Sequence, residues 1–151
     1  MGKWLALHNS VVKINGTLFV HGGLTQDFGY QPLTVLNQKV RVEIRRQRSG
    51  NSQVVEGSLL SNRGPQWNRD YITKYSEEKR TELEEVLQFH RCERMVVGHT
   101  PTSFIDKNQV GQILPLYDGR FFCIDTGIGK SYGEHLSAIH IDRDNIHFVY
   151  P

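Results

Sequence analysis

Two histidines close apolar runs in this chain of 151 residues, each beside glycine. One run is Leu18-Phe19-Val20-His21-Gly22-Gly23-Leu24, and the other is Met95-Val96-Val97-Gly98-His99-Thr100-Pro101. In both, the consecutive apolar residues predict a buried strand that ends at the imidazole. A neutral imidazole is a good ligand for zinc, manganese or iron. Two of them at strand ends suggest a metal site built at one edge of a sheet. A pair of hydrogen-bonded histidines fits the same residues. The glycines let the backbone turn sharply and let another segment or a ligand come close.

Arg69 is the next candidate. It follows Gly64-Pro65-Gln66-Trp67-Asn68. A guanidinium can hold phosphate through paired hydrogen bonds, and an indole can brace its stem. The alternative is a surface arginine beside a core tryptophan, and Arg63 competes for the phosphate role. Asp125 stands at the end of Phe121-Phe122-Cys123-Ile124, before Thr126 and Gly127. There it could orient a ligand histidine by hydrogen bonding, or simply form an Asx turn. His135, His140 and His147 fit surface or sheet-face positions. His8 and His90 show only a loop and a helix-end context.

The elements that must position these residues are partly legible. Val11-Val12-Lys13-Ile14, Asn15-Gly16 and Thr17-Leu18-Phe19-Val20 predict a hairpin with a type I′ turn. Residues 32–47 predict a helix with Leu33, Leu36, Val40 and Ile44 as its apolar stripe and Pro32 at its start. Arg45, Arg46 and Arg48 suit its C-terminal end, and Gly50-Asn51-Ser52 its stop. Ser76 predicts the cap of a second helix, with Glu77 and Glu78 in the first turn and Leu83, Val86 and Leu87 inward. A strand over 94–97 follows. The rest predicts β-structure over 113–117, 120–125, 136–142 and 145–149, with an Asp118-Gly119 turn.

Composition sets the frame. Lys and Arg number 18 against 16 Asp and Glu, so nothing calls for nucleic acid or a membrane surface. No apolar run reaches membrane-spanning length. The N-terminal residues lack a signal-peptide pattern. Two cysteines, Cys92 and Cys123, make no disulfide framework and suggest a reduced, cytoplasmic setting. With no repeat or linker, residues 1–151 read as one folded unit.

Taken together, the four segments around His21, Arg69, His99 and Asp125 resemble the calcineurin-like metallophosphoesterases. Within them they look closest to the Shewanella-like branch of the phosphoprotein phosphatase group. The resemblance implies an α+β fold: part of a β-sandwich flanked by helices, in α/β/β/α layers, with mixed or mostly antiparallel strands and two main helices. It implies a phosphatase with two divalent metals (Mn, Fe or Zn) whose shared hydroxide attacks phosphorus. His21 and His99 would bind the second metal, and Arg69, with His21 beside it, would hold the substrate phosphate. The family's Gly-Asp-x-His-Gly, Gly-Asp-x-x-Asp-Arg-Gly and Gly-Asn-His motifs are absent, and no Gly-Asp dipeptide occurs. The chain therefore resembles the C-terminal portion of such an enzyme. On that reading it is inactive alone, a phosphatase-like binding or regulatory module being the alternative. Its expected partners are a phosphorylated protein or small molecule, and either the missing N-terminal half or a second copy.

Overall fold

A computed structural model describes residues 7–49, 57–143 and 145–151. The Gly50-Asn51-Ser52 helix stop and the N-terminal residues 1–6 lie outside the described residues, as does the side chain of Arg48. Strands β1 (Val11–Ile14) and β2 (Thr17–Val20) form the expected hairpin. Asn15 and Gly16 connect them with φ of 44° and 74°, the double positive φ of a type I′ turn. β3 (Arg94–Val97) then pairs parallel to β2, and β5 (Phe121–Cys123) parallel to β3. β4 (Leu114–Leu116) closes the far edge antiparallel to β5. The order β1-β2-β3-β5-β4 makes a mixed five-stranded sheet.

The parallel step from β2 to β3 needs a long crossover, and helices fill it. They are α1 (Gln26–Gly29), α2 (Leu33–Arg48), α3 (Asp70–Thr73) and α4 (Glu77–Phe89). α5 (Thr102–Ile105) follows β3. The predicted stripe of α2 faces inward: Leu36 and Val40 are fully buried, with Leu33 and Ile44 packed beside them. Leu83, Val86 and Leu87 of α4 join the same core with Leu18, Val20, Met95, Val97 and Phe121 from one sheet face. Ser76 caps α4 by accepting from Lys79 N (3.3 Å). Asn37 on α2 is buried, accepts from Ser10 N (2.7 Å) and Val11 N (3.0 Å), and donates to Val11 O (2.9 Å).

The opposite sheet face carries a smaller core. Val96, Ile113 and Phe122 are buried there beneath Ile139, Ile141 and Ile146. Those isoleucines belong to a second hairpin, β6 (Ala138–Asp142) and β7 (Asn145–Val149). The described residues therefore stack as helices, a five-stranded sheet and a two-stranded hairpin, an α+β arrangement. The Asp118-Gly119 turn is longer than a two-residue hairpin. Leu116 pairs with Phe121, so four residues connect β4 and β5, with Tyr117 and Asp118 at φ of 50° and 52°. Cys92 and Cys123 are buried and unpaired, and burial pushes the Cys123 thiol up to about 12. Among the described residues no helix is long and apolar enough to cross a membrane.

Candidate active site

β2, β3 and β5 run parallel, so their C-terminal ends meet along one edge of the sheet, where ligands of parallel sheets commonly sit. His21, His99 and Asp125 leave those three ends. The pairing extends beyond the strands: Gly98 N donates to His21 O (2.9 Å) and Ile124 N to Val97 O (2.8 Å). The imidazoles of His21 and His99 are thereby brought together, ring centroids 4.8 Å apart and tilted by 55°.

His99 is held unusually. Its φ is 66°, and Thr100 N donates back to Gly98 O (2.7 Å), forming a three-residue turn around it. A non-glycine residue in this conformation stores strain, which clusters at sites of function. Trp67 and His99 pack in a T-shaped contact, 5.1 Å between ring centroids at 87°. His99 Nε2 is buried and has no hydrogen-bond partner, and neither does the buried hydroxyl of Thr100. The pKa of His99 is lowered, first by burial, then by the charges of Arg69 and His21. Asp125 and the Trp67 backbone oppose that shift less strongly. The balance favours the neutral imidazole, the form that ligates metal.

The loop 64–69 is fixed against His21 by backbone contacts. Gly22 N and Gly23 N both donate to Pro65 O (2.8 and 3.3 Å). A Cβ at Gly22 would lie 2.9 Å from both Asn68 N and Asn68 O, so only glycine fits. Asn68 is buried, and its Oδ1 accepts from Asp70 N (2.9 Å) at the start of α3. Arg69 is exposed, and its Nη1 donates a long bond to Trp67 O (3.5 Å). Arg63 is engaged elsewhere: it forms a two-point ion pair with Asp27 (2.8 and 2.9 Å). Trp67 is 51% exposed, so it is not a core tryptophan. Its contact with His99, and the loop-bracing role of Asn68, are roles the sequence did not signal.

Asp125 Oδ1 accepts from Gly127 N (3.1 Å), the Asx turn weighed above, and its charge also reaches His99. His90 sits apart in the core, Nε2 donating to Gly29 O (2.7 Å), and His140 and His147 lie on the second hairpin. A groove of about 340 Å³ opens beside His21 on the sheet face, lined by Phe19, Val96, Gly98 and Ile124 among others. Among the described residues no group of three or more His, Cys, Asp or Glu side chains could hold a metal ion. The two imidazoles, one with an orphaned buried nitrogen, suit part of a metal coordination sphere and not all of it.

No protein-family model matches the sequence. The chain is 28% identical over 146 residues to Shewanella-like protein phosphatase 1 of Plasmodium berghei (strain Anka), covering 92% of this chain and 38% of that protein. It is 27% identical over 146 residues to an uncharacterized protein of Schizosaccharomyces pombe, covering 93% and 41%. In fold it matches a point mutant of a cold-active protein tyrosine phosphatase with a TM-score of 0.78 at 24% identity, over 99% of this chain and 42% of the other. The cold-active protein-tyrosine phosphatase of a psychrophilic Shewanella species matches at 0.67 and 27% identity, over 84% and 36%. The chain thus spans about two fifths of the length of the curated relatives it matches. In sequence it is similar to part of a Shewanella-like protein phosphatase, and its fold is that of part of the cold-active tyrosine phosphatase chain.

Proposed function

We propose that this chain is part of a metal-dependent phosphatase acting on phosphate monoesters. The observation that carries the reading is the buried, unpartnered Nε2 of His99 beside the ring of His21. A buried polar nitrogen without a partner costs about 1–3 kcal/mol, a cost that a bound ion removes. His21 and His99 would hold one divalent ion, of manganese, iron or zinc. Such an ion supplies Lewis-acid polarisation of the phosphate and a more acidic water. Arg69, free of any ion pair among the described residues, donates paired hydrogen bonds to the phosphate oxygens. Asp125 balances the local positive charge, and Trp67 fixes the plane of His99.

Two imidazoles do not make a dinuclear centre, and no larger ligand group forms among the described residues, so on this reading the remaining ligands are supplied by further chain or a second copy. On this reading the chain alone binds a metal ion weakly and turns nothing over. The name of the structural neighbours makes a phosphotyrosyl ester the first substrate to offer. The test combines Mn²⁺ titration with hydrolysis of p-nitrophenyl phosphate by this chain. Weak binding, lost in His21→Ala and His99→Ala, with no turnover, is expected. Turnover abolished by His99→Ala would overturn the claim that outside ligands are essential. Metal binding untouched by both substitutions would overturn the ligand assignment. Arg69→Ala should weaken inorganic phosphate binding at least tenfold, measured by calorimetry. Phosphate binding that persists in a completed domain without turnover would favour a phosphatase-like binding module.

A further inference from the structure

A second pair of histidines stands on the outer hairpin. His140 of β6 and His147 of β7 are directly opposed in the antiparallel register. Their ring centroids lie 6.0 Å apart with the planes tilted by only 35°. The alternation of the strands decides which way they face. Ile139, Ile141 and Ile146 turn toward Val96 and Phe122, so His140 and His147 occupy the opposite face and are exposed. Directly opposed residues in an antiparallel pair have Cβ atoms about 4.5–5.5 Å apart. Bonds of about 2.0–2.1 Å from one ion to two imidazole nitrogens bridge that spacing with small side-chain rotations. Both residues are exposed among the described residues, so those rotations are open. Lys and Arg are absent from both strands, Ala138-Ile139-His140-Ile141-Asp142 and Asn145-Ile146-His147-Phe148-Val149. Asp142, two residues along from His140, adds negative charge on the same face.

We propose that His140 and His147 chelate a divalent first-row ion of the imidazole-seeking kind, copper, nickel or zinc, in a site separate from the His21–His99 pair. Water fills the remaining coordination positions. The ion clasps β6 to β7 across the face away from the sheet. Because ligand binding to the folded form alone stabilises it, the clasp also steadies the hairpin. The site owes nothing to the proposed phosphatase chemistry.

The test titrates ZnCl₂ into the 151-residue chain carrying His21→Ala and His99→Ala, which removes the other pair. Chelation predicts that His140→Gln alone, or His147→Gln alone, lowers affinity at least tenfold, and that the double variant loses little more. Affinity that is unchanged, or merely halved by each single substitution, would overturn the chelate. Should the background variant fail to fold, sub-stoichiometric Ni²⁺ added to the wild-type chain gives the answer by NMR. Paramagnetic broadening of both the His140 and His147 imidazole signals is expected, and broadening that spares either one overturns the proposal. Saturating Zn²⁺ should also slow amide hydrogen exchange across β6 and β7 severalfold in wild type and not in His140→Gln.

Discussion

Gly22 shows how far single positions govern the candidate site. The groups a Cβ would meet there are backbone atoms of Asn68 and Gln66, which cannot swing aside. Gly22→Ala must therefore push the loop 64–69 away from β2 and weaken the bonds into Pro65 O. Overpacking of this kind costs about 1–3 kcal/mol, to be read as a lowered urea midpoint at unchanged slope. Arg69 moves with that loop, so phosphate affinity should fall in the same variant. At this scale the sequence marked three residues that the structure brings to one edge of the sheet. His21, His99 and Asp125 each interrupt a pattern that apolar strands rarely interrupt. The sequence favoured Arg69 over Arg63, but the ion pair that occupies Arg63 was not legible, because its partner Asp27 lies 36 residues away. Nor was the T-shaped contact of Trp67 with His99, which depends on how a turn-rich loop folds back.

The elements separate in the same way. The first hairpin was readable because Asn15-Gly16 demands one turn type, and α2 and α4 because their stripes repeat over several turns. α1 and α3 span four residues each, too short for any periodicity to show. Parallel pairing of β2 with β3 joins residues 77 apart, as Thr17 to Arg94, and no local signal carries it. His90 ties α4 to α1 at its C-terminal cap, and burial is the main cause of its lowered pKa, aided by Lys13. A lowered folded-state pKa means the unfolded chain binds the proton more readily. Stability should therefore hold above about pH 6.5 and fall as pH drops below it, through the folded-state value. Denaturant melts across pH 4–8 should show that slope, reduced in His90→Gln. At the core of α4, Leu83 is fully buried, and Leu83→Ala should cost about 2–5 kcal/mol in the same assay.

For the molecule as a whole, the two faces of the sheet are unequal. Among the described residues, seventeen buried side chains form the core on the helical side, against three on the hairpin side. Opening free energies follow buried apolar packing, so β6 and β7 should exchange their amides well before β2, β3 and α4. Uniform protection across all of them, measured by hydrogen exchange and mass spectrometry, would contradict that order. The sheet also ends differently on its two sides. At β1, Asn37 offers its carboxamide to both backbone groups of Val11, standing where the next strand would stand. A helix side chain thus terminates the ladder at its outer rim. An incoming peptide backbone would have to displace a buried amide before it could template onto β1 at Val11, so the sheet keeps a closed border against fibril-like growth there.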